Sequence, residues 1–337
     1  MDRDDWPVRH TEILVESGFS GSHVVFDGDH EAAGIVGKPG KKNVARAGWH
    51  SYTGASQLVL GFTLEDAEIA PTATQTCTAK GSTWPVGAKW GSRLYGLRDA
   101  TVRRVWTHGL HCSTDGHAFY HSTAGGEHLF EHCLMENLAG QALQLRCDVG
   151  KHGGPWQGPN IAGKTTIREV AALDCGQGEG RGSYPFTLWA LGRPDSLHDI
   201  EIERCYVRNA WAVPDGKGYR GYGVLLIQNP DSVQTHTMPS VTIHHFVAHT
   251  EQNDRYVFIN GVANLIVTDC KFTANGGNDK IELDRVDYPQ YVGMQPVESV
   301  IWKRNQGNAQ VFWRGQQIAR ADEEFEISGG QVWKRTP

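Results

Sequence analysis

A short pattern of apolar and polar residues recurs along the chain. Two polar residues stand between apolar ones, another apolar residue follows two positions later, and Asn or Asp often ends the run. Clear copies occupy residues 127–137, 165–174, 198–209, 239–250 and 263–275, and weaker copies occupy 56–66 and 100–109. Because apolar and polar positions alternate and turn formers close the runs, each copy is predicted to form one β-strand.

Aligning the copies places an apolar or small residue at one shared position. This position holds Phe62, Val105, Cys133, Val170, Cys205, Phe246 and Cys270, and three residues earlier stand Val59, Val102, Phe130, Ile167, Ile202, Ile243 and Val267. The spacing between copies varies, which indicates a constant structural unit that carries loops of different length. Three cysteines fall at the shared inward position and are therefore predicted to be small buried apolar residues.

A second strand-like run follows most copies, at 117–122, 141–146, 186–191, 223–229, 256–260 and 280–283. No amphipathic helical segment separates the runs, which argues against alternating βαβ units. Repeated strands without helices favour an all-β solenoid of parallel strands, with one turn of chain per repeat. A β-sandwich is the alternative for a chain with many short strands.

Adjacent polar pairs inside the copies are predicted to stack from one repeat to the next. In that arrangement Glu169 lies between His132 and Arg204, and Asp269 lies beside His245. Alternating charges on neighbouring strands form cross-strand ion pairs, so these ladders are interpreted as solvated scaffold.

The arrangement resembles the right-handed parallel β-helix superfamily typified by pectate lyases, whose repeats also end in Asn. The resemblance covers roughly residues 11–283 and implies a right-handed parallel β-helix with long loops and a C-terminal cap. We therefore predict a β-helix over 1–284, with terminal strands and a cap over 285–337 packed on the same domain. The last segment would alternatively provide an oligomerisation surface.

Composition narrows the classes of function. The net charge of −6 argues against a nucleic-acid partner. The sequence contains no run of 18 apolar residues, so no membrane-spanning helix is predicted. The first ten residues lack the apolar core of a signal peptide. This fits a cytoplasmic or virion protein, or an exported one whose leader has been removed; we expect an extracellular or virion-associated location.

A histidine-rich stretch, 107–121, contains His108, His111, His117 and His121. His117 and His121 are predicted to share one strand face about 13 Å apart, which is too far for both to bind one zinc ion. The expected role is an outward polar face along a groove, with Asp115 and His117 as catalytic candidates. His111, Asp115 and His117 would converge on a metal only if their loop folded back; the prediction is no metal and no cofactor.

Long loops carry the other candidate site residues. Segments 175–185 and 210–223 are predicted to leave the same corner of consecutive repeats, and 147–163 leaves after a second strand. Aromatic faces beside hydrogen-bonding groups suit a sugar ring. The proposed catalytic residues are Glu179, Arg181, Asp215, Lys217, Tyr219 and Arg220, and the proposed substrate-binding residues are His152, Trp156, Tyr184, Trp211 and Tyr222.

Two chemistries remain open for these residues. Arg181, Lys217 and Arg220 would neutralise a uronate carboxylate so that a Lys, Tyr or His removes the adjacent proton in a β-elimination. Hydrolysis would instead use two carboxylates, drawn from Asp115, Glu179 and Asp215.

The chain departs from known catalytic motifs of the superfamily. It lacks the paired Asp-Asp and Gly-His-Gly motifs of polygalacturonases and the Arg-x-Pro-x-x-Arg motif of pectate lyases. No family catalytic residue is therefore carried over. The predicted function is a polysaccharide-active lyase or glycoside hydrolase on a glycan that could be acidic; the alternative is a non-catalytic carbohydrate-binding or tailspike-like receptor-binding protein, which would fit a homo-oligomer.

Overall fold

The protein is all-β in the residues that the structure, a computed structural model, describes. These are 8–10, 12–14, 20–28, 48–50, 59–71, 76–79, 82–85, 90–110, 117–138, 140–146, 162–175, 184–189, 198–209, 223–228, 238–250, 257–274, 280–284 and 297–335. The earlier strands are β1 (Val8–His10), β2 (Glu12–Leu14), β3 (Ser20–Gly28), β4 (Gly48–His50), β5 (Val59–Pro71), β6 (Thr76–Ala79), β7 (Ser82–Pro85), β8 (Trp90–His108), β9 (His117–Thr123), β10 (Gly126–Glu131), β11 (Leu134–Leu138), β12 (Leu143–Arg146), β13 (Gly163–Arg168), β14 (Ala171–Cys175) and β15 (Phe186–Trp189). The later strands are β16 (His198–Glu203), β17 (Tyr206–Asn209), β18 (Leu225–Gln228), β19 (Met238–His244), β20 (Val247–Thr250), β21 (Val257–Ile259), β22 (Val262–Thr268), β23 (Lys271–Ala274), β24 (Lys280–Leu283), β25 (Ser299–Lys303), β26 (Gln306–Gly307), β27 (Gln310–Trp313), β28 (Gln316–Arg320), β29 (Phe325–Ser328) and β30 (Gln331–Lys334).

From β9 to β24, each strand pairs in parallel with the strand three places later in the chain. This rule divides them into three sets. The first stack contains β10, β13, β16, β19, β22 and β25; the second contains β11, β14, β17, β20, β23 and β26; the third contains β9, β12, β15, β18, β21, β24 and β27. The long strand β8 pairs with β9, β10 and β11 and so contacts all three stacks. The predicted parallel pairing of repeated strands is confirmed.

The register of the first stack follows the aligned sequence copies. Phe130, Ile167, Ile202, Ile243 and Val267 are successive partners across the stack, and all are buried. The next partner along is Trp302. Apolar periodicity therefore located the inward row of this stack.

The first sequence copy was aligned wrongly. Val102 pairs with Leu64 rather than Val59, and Val105 pairs with Ala67 rather than Phe62. The two frames differ by five residues, and each offers apolar residues three apart, so apolarity alone does not distinguish them. The structure selects the frame that puts Asp66, with φ +50°, at the bend of β5.

Each clear sequence copy forms two strands rather than the single strand that was predicted. The first and second stacks meet at a corner residue in the left-handed region: His132, Glu169, Arg204, His245 or Asp269, with φ from +48° to +58°. Left-handed backbone is unfavourable for residues with a β-carbon. Backbone hydrogen bonds continue through the corners, for example from Glu169 N to Glu203 O at 2.9 Å, and hold this conformation.

The residue after each corner points into the core. At three of the corners this residue is a cysteine, and these cysteines are buried as predicted. Cys133, Cys205 and Cys270 are at most 2% exposed, and each thiol donates to a backbone carbonyl about two residues earlier. Burial raises the pKa of each of these thiols to about 12. They are small core residues and remain protonated, which makes them poor nucleophiles.

Parallel pairing continues past residue 284, through β27, before antiparallel strands close the described chain. β29 pairs antiparallel with β25 and with β30, and β28 pairs antiparallel with β27. Trp302 stacks between Phe272 and Phe325, with ring centroids 5.4 and 5.6 Å away. The antiparallel strands thus extend the core and cover an edge of the last parallel repeat.

Gly307 allows a close approach between the last two strands of the second stack, β23 and β26. Its φ is +124°, and a β-carbon there would lie 1.8 Å from the carbonyl oxygen of Phe272. Gly315 also has a positive φ, +78°, but a β-carbon there would meet nothing within 4 Å. The two glycines therefore separate the cost of a clash from the cost of backbone strain.

We expect Gly307→Ala to lower the free energy of unfolding by about 3 kcal/mol or more, because the methyl group forces neighbouring backbones apart. Gly315→Ala should cost only about 1 kcal/mol, from strain alone. Urea unfolding of both variants measures the difference. Equal losses would show that β23 and β26 do not approach as closely as described.

Candidate functional site

Two of the predicted loops enter neighbouring strands. Segment 176–183 leads from β14 into β15, and segment 210–222 leads from β17 into β18; β14 pairs with β17, and β15 pairs with β18. The loop 147–161 instead starts at the other end of the third stack, after β12. The segments thus join both ends of the strands in the third stack.

Most candidate side chains lie outside the described residues. This holds for Asp115, Glu179, Arg181, Asp215, Lys217, Tyr219 and Arg220 among the catalytic candidates, and for His152, Trp156, Trp211 and Tyr222 among the binding candidates. His117 and Tyr184 are described. Tyr184 is only 6% exposed, and its backbone carbonyl accepts a hydrogen bond from the Thr187 hydroxyl at 3.1 Å. Its ring is enclosed rather than presented to solvent.

His117 and His121 share one face of β9, but this face points inward. His117 is 6% exposed and His121 is fully buried, as is Phe119 between them in the same alternation. The prediction of an outward polar face is therefore wrong for these two histidines. The pattern of β9 was ambiguous because its aromatic and imidazole side chains all suit either face.

His121 is a core residue. Its ring lies among Phe62, Phe119 and Phe130, with centroids 6.1, 5.8 and 5.7 Å away. Burial lowers the pKa of His121 to about 3 and that of the nearby buried His128 to about 4. Both imidazoles are consequently neutral at neutral pH.

The outward face of the third stack carries a row of equivalent positions. They are occupied by Tyr120, Gln144, Thr187, Leu226, Phe258, Glu282 and Phe312. Gln144, Thr187 and Phe258 are at most 5% exposed, whereas Tyr120 and Glu282 are half-buried. The row is therefore accessible at Tyr120 and Glu282 and covered between them.

Tyr120 is paired with an arginine on the next strand. The Arg146 guanidinium donates a hydrogen bond to the Tyr120 hydroxyl, and its central carbon lies 5.6 Å from the ring centroid. The His117 ring is 5.7 Å from the same ring, and Nδ1 of His117 accepts a hydrogen bond from the backbone of Gln141 at 2.8 Å. Arg146 is the last described residue before loop 147–161. This group unites His, Tyr and Arg at the root of a candidate loop.

Sequence reasoning missed Tyr120 and Arg146, although both lie in recognised strand-like runs. Their contact depends on the pairing of Tyr120 with Gln144, which puts Arg146 diagonally across from the tyrosine. A second missed residue is Asp284, which is 3% exposed; burial raises its pKa although Arg314 donates a hydrogen bond to it at 2.9 Å. The signal for Asp284 was its place at the end of a strand-like run.

The charged ladders are confirmed as cross-strand ion pairs. Glu169 contacts His132 Nδ1 at 2.6 Å and Arg204 Nε at 2.8 Å, as predicted from the repeat alignment. Asp269, whose pKa is lowered by the hydrogen bond from Arg304, also lies in the electrostatic field of His245. The charged side chains at the corners are therefore paired with side chains of the neighbouring repeats.

One group of described residues has the composition of a metal site. Glu201, Glu203 and His244 place potential ligand atoms within 4.8 Å of one another on the outward side of the first stack. However, Lys164 Nζ lies 2.8 Å from Glu201, and Arg204 donates to Glu203. Cations of the protein already neutralise both carboxylates.

Comparison with known proteins adds no relative. No protein-family model matches the chain, no curated protein matches its sequence, and no solved structure matches its fold. Among the described residues, no helix is long and apolar enough to cross a membrane.

Acid should destabilise the protein partly through His121. Because its folded pKa is below the ordinary value of 6.5, the neutral imidazole contributes its full stability above about pH 6.5 and loses it as the pH falls toward 3. We expect His121→Leu to reduce the loss in unfolding free energy between pH 7.5 and 5 by about 2 kcal/mol. Urea titrations at both pH values test this, with His245→Gln, which removes an exposed imidazole, as the control. An unchanged pH dependence in His121→Leu would contradict the buried position.

Proposed function

We propose that the protein is a right-handed parallel β-helix that binds and cleaves an acidic polysaccharide by β-elimination. The cleavage site is proposed at the Tyr120 end of the outward face of the third stack. The observation that carries this proposal is the pair formed by the Arg146 guanidinium and the Tyr120 hydroxyl, with His117 beside it.

The repeat of three parallel strands supports the proposed β-helix. Connections between parallel strands of one sheet are almost always right-handed. Three stacks whose strands alternate in chain order fit a chain that winds continuously in that sense.

The chemistry follows from the three side chains. A guanidinium has five donor N–H groups, so Arg146 can bond the Tyr120 hydroxyl and still neutralise a uronate carboxylate. Neutralisation acidifies the C5 proton of the uronate. Tyr120, to whose oxygen Arg146 donates, first releases its hydroxyl proton to solvent and then removes the C5 proton. The C5–H electron pair forms the C4–C5 double bond as the C4–O bond breaks, and the leaving oxygen takes up a proton from solvent.

His117 is assigned a positioning role. Its Nδ1 accepts a backbone hydrogen bond, which fixes the proton on Nε2, and its ring packs against Tyr120. The loop residues Arg181, Lys217 and Arg220 would add positive charge for neighbouring uronates. A polymeric substrate of this kind fits an extracellular or virion-surface location.

Hydrolysis is the second candidate, and Asp284 favours it. A carboxyl group whose pKa is raised by burial can serve as a general acid, and Glu282 stands two residues away on the same strand end. Asp115, Glu179 and Asp215 would be the other sources of a second carboxylate. A non-catalytic binder would use the same face without turnover.

The first experiment measures 235 nm absorbance and reducing ends together on acidic and neutral polysaccharides. β-Elimination should yield new absorbance on a uronate polymer, because the product contains a conjugated double bond. Reducing ends without absorbance would instead support hydrolysis. Binding without either product would support a binder and would refute the proposed chemistry.

Tyr120→Phe then tests the assignment, because it removes only the hydroxyl. We expect kcat to fall by about 100-fold or more, the usual range for loss of a general base. Tyr206→Phe, the same change on the second stack, is the matched control and should retain activity. Equal rates in Tyr120→Phe and the unaltered protein would exclude Tyr120 as the base; loss of activity in Arg220→Ala and Lys217→Ala alone would relocate the site to their loop.

A further inference from the structure

The second stack presents an apolar row on its outward side. Trp106, Leu134, Ala171, Tyr206 and Val247 are successive partners across five adjacent strands. The two aromatic side chains are exposed, Trp106 at 41% and Tyr206 at 39%, whereas Leu134, Ala171 and Val247 are half-buried. The row becomes polar at the next partner, Lys271.

Smaller side chains lie between the two aromatic rings. Three strand spacings lie between Trp106 and Tyr206, which corresponds to about 14 Å. Leu134 and Ala171, which occupy the two intervening strands, have smaller side chains. The row is therefore a shallow trough with an aromatic platform at each end.

Trp106 is held in position by its neighbours. Its indole N–H donates to Glu136 Oε1 at 2.9 Å, and its ring stacks on His108 at a centroid distance of 4.0 Å. His108 is in turn anchored by the buried Glu68 carboxylate at 2.9 Å. One ring face is thus packed while the side chain stays exposed, so a ligand that stacks on Trp106 meets a preorganised surface.

Cations beside the trough are neutralised within the protein. Arg104 contacts Asp66 at 2.6 Å, Arg204 contacts Glu169 at 2.8 Å, and Arg208 contacts Asp174 at 3.0 Å. The trough therefore offers apolar faces and hydrogen-bonding edges without an excess of positive charge. This charge balance favours an uncharged ligand over a uronate.

We propose that this row is a second glycan-binding site, distinct from the cleavage face, and that it binds an extended neutral oligosaccharide. The spacing between strands is close to the length of one hexopyranose unit in an extended β-1,4-linked chain. A chain lying along the row would place one unit on each strand. Units one and four would then stack on Trp106 and Tyr206, and the polar residues beside the row, such as Glu136 and Arg208, would contact the hydroxyl groups.

A protein partner fits this row less well. The apolar strip is one side chain wide, and charged corner residues border it along one side. Stable protein interfaces need a broad patch with a core poor in charge. A linear chain with an apolar face and polar edges matches the narrow strip.

Binding should depend on chain length in a defined way. Calorimetric titration with cello-oligosaccharides of two to six units is expected to show about a tenfold gain in affinity between three and four units, when the second platform is reached. Trp106→Ala and Tyr206→Ala should each abolish that gain, whereas Tyr206→Phe, which keeps the ring, should retain it. A tetramer of β-1,4-linked glucuronate should compete only weakly with the neutral tetramer for this row.

Controls separate this site from the cleavage face. Both alanine variants should still unfold cooperatively, and they should keep the kcat of the unaltered protein on a short uronate oligomer, because neither ring belongs to the proposed cleavage face. Tyr120→Phe should keep the binding of neutral chains. No binding of any neutral chain, or an unchanged gain in the variant that combines Trp106→Ala with Tyr206→Ala, would overturn the proposal; binding lost only in Tyr120→Phe would do the same, because it would assign the ligand to the cleavage face.

Discussion

The structure depends on residue-for-residue parallel pairing between repeats. Each strand of the first stack aligns its inward side chains with those of the strands before and after it, from Phe130 through Ile167 and Ile202 to Val267. A shift of one residue would exchange the inward and outward faces of a strand. The apolar core therefore fixes the register, and the register fixes which side chains stand together on the surface.

The same constraint explains the unusual corner residues. The chain must turn between the first and second stacks without losing a backbone hydrogen bond, and a single left-handed residue achieves this. The residues at these corners are charged or histidine rather than glycine. Their side chains project outward and pair with one another, as Glu169 does with His132 and Arg204, so that the ion pairs act where the backbone conformation is unfavourable.

The strand register and the corner residues explain which parts of the fold could be predicted from the sequence. The inward rows and the buried cysteines could be read from the sequence because five good copies agree on them. The division of each copy into two strands could not, because a left-handed Arg or His leaves no compositional mark comparable to glycine. The frame of the first copy failed for a different reason, since both Val59 and Leu64 satisfy the apolar pattern. His117 was placed outward because alternation gives the period of a strand but not its phase.

The candidate site was less accessible to sequence reasoning than the core. Tyr120 and Arg146 meet only because β9 and β12 pair in one particular register. Likewise, Trp106 and Tyr206 are 100 positions apart in sequence but stand three strands apart on one surface. Long loops can be recognised in the sequence by their distinctive composition. The outward rows of the stacks can be identified only when the strand register is known.

The strand register aligns both the outward row of the second stack and that of the third stack, so one row can bind a ligand while the other carries the proposed reaction. Each stack repeats at the same strand spacing, so a linear polymer can lie in step with the exposed row of the second stack, whereas the row of the third stack is covered at Gln144, Thr187 and Phe258. The third stack carries the Arg146–Tyr120 pair at one end of a partly covered row, which suits reaction at a single bond. The second stack offers two rings separated by a shallow floor, which suits retention of a chain without reaction. Under the two proposals, a polymer held on the second stack would stay close to the cleavage face, because one core connects the two faces.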